Sequence, residues 1–463
     1  MSGQVIFIKT IQKKYNKIIS YLKPKLYIQN KNFFYYFCEK IKKMQLFFYN
    51  IIVCLVLPFT LVKLLYRGIK NQDYLKNWAD RFAIYPKNEK DLWNKRKTLW
   101  IHCVSVGETK AIFKLLEKLQ RKFPKMQFLI TNGTPTGRKV ELPNDKNVHR
   151  AYLPYDANFL VTKFLQFYQP NIGILVEKEI WPNLINQCEQ KKIPLLLING
   201  RLSDESTSRY LTFKNFYTPL LNKLSTICVQ NISDKKNFQK LTKNKISVLG
   251  NLKFDQSPPK NTLKKSRILK RNLKLGKQIV IVLGSSREGE EEIILHQILT
   301  MNMKNITLIL VPRHPERFDK VADLLQSKKI KFIRRSQSSI VKNKPSVILG
   351  DSMNEMYLYY SLADIVIVGG SFLSYGSQNP IEALKMKKPT IIGPSIYNFK
   401  NTIIDATKAN AIMQIKDINK LPLVIKKLRS KKAQQALINN AKEFILKSEG
   451  SSSKTIKIIS QYL

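Results

Sequence analysis

The stretch Trp100-Ile-His-Cys-Val-Ser-Val-Gly-Glu108 is a short apolar run that stops at a serine, a glycine and a carboxylate. A helical spacing of apolar residues (Ala111, Ile112, Leu115, Leu116, Leu119) follows at once. Strand, glycine turn and helix N-terminus in that order predict a parallel α/β unit. Glu108 then stands beyond the carboxyl end of a strand, where open α/β sheets carry their ligand crevice. The helix dipole there is expected to keep Glu108 ionised, as a general base requires. An ordinary acidic residue in a first helical turn fits the same spacing.

Further strand-like runs lie at 128–131, 171–176, 193–198 and 225–229, separated by helical stretches. Such alternation predicts a parallel sheet covered by helices on both faces. The pattern breaks over 249–277, where Ser257-Pro-Pro and a basic polar tract suggest a linker. A second series follows at 278–283, 306–311, 346–349, 365–368 and 389–392. The expected architecture is α/β, with two doubly wound Rossmann-like domains facing a crevice. That is the GT-B arrangement of glycosyltransferases and a few epimerases. The expected boundaries are 68–248, a linker over 249–277, and 278–463.

Ahead of the first domain, residues 46–62 are apolar apart from Asn50, Pro58 and Thr60. The run is near the lower length limit for a membrane span, and lysines and arginines flank both ends. No small-residue cleavage site follows it. Residues 44–67 are therefore expected to be a retained anchor, inserted or interfacial, with the body cytoplasmic. Residues 1–43 form a separate lysine-rich and aromatic extension.

The chain has 463 residues and a formal charge of +48. Such a charge suits an anionic membrane surface, although the lysines are spread as in an AT-rich coding sequence. No zinc spacing, RNP1-type segment or helix-turn-helix signature supports nucleic acid. The five cysteines are unclustered and fit a reducing compartment. No metal centre and no cofactor are expected, and the chain holds no Asp-x-Asp pair of the kind that places a divalent ion on a pyrophosphate.

In the second half, strand ends carry Gly284-Ser-Ser286, Pro312-Arg313 and Gly369-Gly-Ser371. Glycine loops ahead of helices offer free N–H groups to phosphates and carboxylates. Arg313 can grip an anion in a bidentate fork. Asn379 and Glu382 stand at a loop–helix junction where a carboxylate can accept from two ribose hydroxyls.

Taken together, the segments resemble the family of 3-deoxy-D-manno-octulosonic acid (Kdo) transferases. The likeness runs from about Leu46 to the C-terminus. Its segments are Tyr66-Arg-Gly68, Trp78-Ala-Asp-Arg-Phe82, His102–Glu108, Thr134-Pro-Thr-Gly137 and Leu153-Pro-Tyr-Asp156. Further along come Glu177-Lys-Glu-Ile-Trp-Pro-Asn183, Asn199-Gly-Arg-Leu-Ser203, Gly250-Asn-Leu-Lys-Phe-Asp255, Pro312–Phe318 and Gly369–Phe372. The resemblance implies an inverting transfer of Kdo from CMP-Kdo to the lipid A precursor at the inner membrane. It implies Glu108 as the base that deprotonates a glucosamine 6-hydroxyl. Glu177 and Glu179 resemble the second acidic segment of the acceptor side, where Ser105, Gly107, Thr134 and Arg201 also fall within matching segments. Arg313 (with Pro312), Ser285, Ser286 and the Gly369-Gly370-Ser371 loop are implied to hold the donor's phosphate and carboxylate, and Asn379 and Glu382 its nucleotide sugar.

Two segments depart from the family. Gly376-Ser377-Gln378-Asn379-Pro380 stands where it has Gly-Gly-His-Asn-Pro, and Asp351-Ser-Met-Asn354-Glu355 where it has Asp-x-Met-Gly-Glu. Both lie on the donor side, and Ser377 places a Cβ where backbone with positive φ is expected. Another nucleotide sugar, or a membrane-binding relative without catalysis, are the alternative readings.

Overall fold

The computed structural model describes residues 31–86, 93, 96–142, 144–276, 278–301, 305–337 and 344–463, with side chains from 44 onward. Residues 1–30 of the basic extension lie outside the described residues. The first sheet holds β1 (Thr98–Cys103), β2 (Gln127–Asn132), β3 (Val148–Tyr152), β4 (Ile172–Val176), β5 (Leu195–Gly200), β6 (Thr226–Val229) and β7 (Ile246–Val248). The second holds β8 (Ile279–Ser286), β9 (Ile306–Pro312), β10 (Phe332–Arg334), β11 (Val347–Leu349), β12 (Ile365–Val368), β13 (Thr390–Ile392) and β14 (Met413–Gln414). Their orders are β3-β2-β1-β4-β5-β6-β7 and β10-β11-β9-β8-β12-β13-β14. Every pairing is parallel.

The chain leaves in opposite directions from the adjacent strands β1 and β4 in the first sheet and from β8 and β12 in the second. Such switch points leave a crevice outside the carboxyl ends of the flanking strands. Glu108 follows β1 and Glu177 follows β4, whereas Ser285 is the penultimate residue of β8 and Gly369 follows β12. Topology thus puts Glu108 and Glu177 at one switch point and Ser285 and Gly369 at the other, while Thr134, Arg201 and Arg313 follow the neighbouring strands β2, β5 and β9.

Alternation along the central strands explains the layers. Leu99, Ile101 and Cys103 enter one core, and Trp100 enters the core on the other face. Both faces are buried, so the central strands are largely apolar, with a few enclosed polar side chains such as Thr98 and His102 on β1.

The two halves are tied together by more than one crossing. Within the expected linker, Leu252 joins the first core and Phe254 the second. The helix Thr262–Asn272 then packs Leu269 on the second sheet's core, so much of this stretch is folded. At the other end of the chain, the helix Ser451–Ile459 returns to the first half. Its Ile456 and Ile459 pack with Leu115, Leu116 and Leu119. Asp255 holds that helix's start by accepting from the backbone N–H groups of Gly450 (2.7 Å) and Ser452.

The apolar run lies in a helix that begins earlier than expected, at Lys31, and ends at Lys70. Part of one face rests on the body. Tyr49 donates to Asp156 Oδ2 at 2.9 Å, and Asn183 donates to Asn50 Oδ1 at 2.8 Å. Val53 and Leu57 pack against Ala83, Ala157 and Leu160, and Leu64 is buried. Phe47, Leu55, Phe59, Val62 and Ile69 remain exposed, Phe59 by 72 %. By length and composition Met44–Lys70 could cross a membrane. The polar pair Tyr49–Asn50, which interrupts the apolar run, is accounted for by this docking.

Candidate active site

Ser105 caps the short helix Val106–Ala111, its hydroxyl accepting from the Glu108 N–H at 3.4 Å. The Glu108 carboxylate reaches back in turn. Oε2 accepts from the Val104 N–H at 2.6 Å, and Oε1 accepts from the Ser105 hydroxyl at 3.1 Å. The Ser-x-x-Glu spacing encodes such reciprocal capping, although here the carboxylate reaches the N–H one residue before the capping serine. Glu108 therefore has a structural duty as well as its exposure to the crevice.

Its ionisation differs from the expectation. Burial and the nearby Glu177 charge push the Glu108 carboxyl up to about 6, against the pull of the Val104 N–H. Desolvation of a partly enclosed carboxylate outweighs the helix terminus here. Glu179 is raised further, to about 7, by burial and by the charge of Glu108. Its Oε2 accepts from Trp181 Nε1 at 2.8 Å.

Glu177 behaves oppositely. Burial would raise its carboxyl, but the Lys253 ammonium, with help from Arg201, outweighs burial and holds it below the ordinary value. Lys253 Nζ donates to Glu177 Oε1 at 2.8 Å, both side chains being 14 % exposed. Glu177 itself sits at φ +69°, a conformation costly for a residue with a Cβ and common at functional sites. Three acids and one lysine are thus gathered where β1 and β4 diverge.

The remaining acceptor-side expectations divide by what their groups already do. The Thr134 hydroxyl donates to Val104 O at 3.1 Å and accepts from the Gly137 N–H at 3.1 Å, so it holds a turn. At Gly107 a side chain would begin in nearly open space, the nearest atom to a Cβ being Ser105 Oγ at 3.9 Å. Arg201 donates to Tyr397 O at 3.0 Å, which bridges the two halves. Lys110 donates across the same crevice to Asn354 Oδ1 at 3.2 Å. The segment Trp78–Phe82 buttresses this side: Asp80 pairs with Arg138 at 2.5 Å, and Arg81 lies 3.8 Å over the Tyr152 ring.

Among the residues expected to hold the donor, some side chains have partners within the protein and others do not. The Arg313 side chain is exposed and forms no hydrogen bond or ion pair among the described residues; its backbone N–H donates to Ser286 O at 3.0 Å. Pro312 ends β9 and fixes that turn. Ser285 is half-buried at φ +56°, on the irregularity where β8 and β9 shift register. Ser286, by contrast, is fully buried and donates to Glu291 Oε1 at 2.6 Å, which also pairs with Arg317. Ser371 donates to Val368 O at 2.5 Å and accepts from the Gly393 N–H at 2.9 Å.

The loop amides are engaged as well. Gly370 N donates to Glu290 Oε2 at 2.5 Å, and Gly369 N donates to Gly284 O at 2.8 Å. The Ser286 and Ser371 hydroxyls and these two N–H groups, expected to face an anion, thus have partners within the loop and help to shape it. Gly369 is needed for shape, since a Cβ there would come 2.6 Å from Ser285 O. Asn379 caps Ile381 at 3.1 Å and donates to Glu382 Oε1 at 3.2 Å. Glu382 is raised by burial, while Lys110, Asn379, Arg313 and Lys253 pull it down.

Ser377 adopts φ +67° and Asn354 φ +62°, so both departures from the family's glycine-containing segments occupy left-handed backbone. Asparagine tolerates it through its short side chain and serine less well.

Two residues of this site were not singled out from the sequence. Lys253 is 76 residues from its partner Glu177, and only its place in the Gly250–Asp255 segment hinted at it. His102 lies on β1, 1 % exposed, with Nε2 4.0 Å from Glu179 Oε2.

One family model matches residues 76–256, described as 3-deoxy-D-manno-octulosonic-acid transferase (kdotransferase). A 3-deoxy-D-manno-octulosonic acid transferase of Haemophilus influenzae is 33 % identical over 424 residues, covering 90 % of this chain and 98 % of the relative. One of Bordetella pertussis is 31 % identical over 382 residues, covering 79 % and 87 %. A solved glycosyltransferase from Rickettsia africae aligns over 80 % of this chain and 99 % of its own, with a TM-score of 0.55 and 14 % identity. At that identity it bears on the fold alone, and the fold is of GT-B type.

Proposed function

Because the chain belongs to the 3-deoxy-D-manno-octulosonic acid transferase family, we propose that it moves Kdo from CMP-Kdo to the lipid A precursor in a single inverting displacement. Glu108 accepts the proton of the glucosamine 6-hydroxyl. The hydroxyl oxygen forms its bond to the anomeric carbon as the bond from that carbon to the phosphate oxygen breaks. CMP leaves with the electron pair. Most of the acceleration comes from positioning and charge stabilisation.

The observation that carries this reading is the placement of Lys253. Its Nζ donates to Glu177 Oε1 at 2.8 Å and lies 5.5 Å over the ring of Phe399 in the second half, and Lys110, two residues beyond Glu108, donates to Asn354 Oδ1 at 3.2 Å. These contacts support a base and a donor pocket on facing sides of one crevice. Arg313 supplies the uncommitted guanidinium for the phosphate, and Ser285 and the Asn379–Glu382 pair contribute the remaining polar contacts. Glu179 accepts a hydrogen bond from the acceptor sugar. The exposed apolar face of the segment Met44–Lys70 rests in the cytoplasmic face of the inner membrane, so the lipid acceptor enters from the side on which the enzyme is anchored.

Mass spectrometry of the lipid after incubation with CMP-Kdo and the lipid A precursor tests the proposal. The expected product is the precursor heavier by one or more Kdo units, with CMP released. Transfer from UDP-sugars in place of CMP-Kdo would overturn it.

A further inference from the structure

His102 points from β1 toward the acceptor-side acids yet takes no part in the scheme above. Its Nδ1 lies 2.9 Å from Thr131 Oγ1, and Nε2 finds no hydrogen-bond partner in the protein although it is buried. A buried, unpaired ring nitrogen is costly. The group it faces is Glu179 Oε2, at 4.0 Å.

Thr131 decides where the ring proton sits. Its hydroxyl already accepts from Trp100 Nε1 at 2.7 Å, and an indole N–H can only donate. The hydroxyl is fully buried, and its own proton has no other acceptor among the described residues, so His102 Nδ1 is the group that satisfies it. An Nδ1 that accepts leaves the single proton of neutral imidazole on Nε2. Burial keeps the ring neutral by pushing it down to about 3. The Trp181 ring, edge-on to His102 at 6.3 Å, closes one side.

We propose that His102 is a positioning residue for Glu179, its Nε2–H held by Thr131 and Trp100 so that it orients and favours the ionised carboxylate that receives the acceptor sugar. This rests on the reading of Glu179 as an acceptor-binding group. Glu179 is surrounded mainly by groups that oppose its ionisation. Glu108 and Glu177 repel its charge, and Tyr210 and Cys103 also lie within its field. Trp181 supplies one neutral donor to Oε2 at 2.8 Å, and the His102 Nε2–H faces the same oxygen from 4.0 Å, where it acts through its dipole and not as a hydrogen bond.

The test has two arms. In the wild-type protein, ¹⁵N spectra of the His102 ring are expected to report the Nε2–H tautomer. An Nδ1–H tautomer overturns the proposal whether or not any variant folds, and whether or not the protein transfers Kdo. In the second arm, His102→Phe is compared with His102→Gln, which returns an N–H donor near the Nε2 position. The pH at which the acceptor KM inflects is expected to move up by about one unit in His102→Phe, a tenfold change in the ionisation constant. The inflection in kcat, set by Glu108, stays in place, and His102→Gln restores most of the KM shift. Equal losses of melting temperature in both variants with neither inflection moved would show a purely structural histidine. If no Kdo transfer is detected at all, the functional reading fails, and direct titration of the Glu179 carboxyl by ¹³C NMR in the same variants still decides the role of His102.

Discussion

Lys253 and Glu177 form an ion pair of 2.8 Å where the two halves of the chain meet. One partner follows β4 at φ +69°, and the other sits on the turn that follows β7. Lys253 also lies 5.5 Å over the ring of Phe399, a residue of the second half. The pair offsets part of the repulsion among three neighbouring acids.

Removing the lysine alone should therefore cost more than removing both charges. Lys253→Met leaves Glu177 buried without its cation, and breaking a buried pair from one side costs about 3–5 kcal/mol. With both side chains still partly exposed, the low end of that range is expected. Glu177→Gln combined with Lys253→Met should recover a large part of the loss. A double-mutant cycle by chemical denaturation reads the coupling, and additive losses would show that the pair is not coupled.

The backbone at Ser377 offers a second test. A non-glycine residue in left-handed backbone costs roughly 1–2 kcal/mol. Ser377 is 1 % exposed, and its hydroxyl donates only to the neighbouring Gln378 O at 3.0 Å. Ser377→Gly is expected to raise stability by up to about 1 kcal/mol and to leave donor affinity unchanged. A loss of donor affinity in that variant would give the serine a part in binding.

The strands that sequence patterning missed are β3, β7, β10 and β14, the two edges of each sheet. Edge strands lack a neighbour on one side and need not be apolar on both faces. Val148-His-Arg-Ala-Tyr152 and Phe332-Ile-Arg334 show that mixture, whereas the central strands announced themselves as unbroken apolar runs. The switch points were legible because the flanking strands are central. What escaped was commitment. Ser286 and Ser371 look like ligands in a glycine-rich loop, but whether a hydroxyl is free depends on partners such as Glu291 and the Gly393 N–H, which only folding brings near. Lys253 was equally hidden, since no local pattern pairs it with an acid on another strand.

The raised acid at Glu179 makes a prediction about stability against pH. Its ordinary value is 4.5 and its folded value about 7. A carboxyl whose folded pKa is raised gives a stability contribution that is fully present below about 4.5 and is lost as the pH rises through about 7. Glu179→Gln cannot ionise and keeps that contribution. The variant's melting temperature should match the wild type near pH 4.5, and its advantage should grow until about pH 7 and then level off. A difference independent of pH would show that burial does not perturb this group.

Glu108 is both a cap and the proposed base, and one substitution separates the two duties. In Glu108→Gln the amide oxygen can accept from the Val104 N–H, and the amide nitrogen can donate to the Ser105 hydroxyl, so both contacts at 2.6 and 3.1 Å have replacements. The helix Val106–Ala111 should keep its start; melting temperature should barely change near pH 4.5 and should exceed the wild type's at pH 6, where the wild-type carboxyl, raised to about 6, has lost most of its contribution. The amide cannot take a proton. General base catalysis contributes about 10²- to 10⁴-fold, so kcat should fall by about that factor while CMP-Kdo affinity stays put. In the wild-type protein kcat should drop as the pH falls through about 6, because the carboxylate raised to that value must be unprotonated to act. In the variant that inflection should vanish. Rate, donor affinity and melting temperature measured on one variant distinguish the roles: a folded Glu108→Gln enzyme with near-normal kcat would leave the residue as a cap and move the search for the base to Glu179.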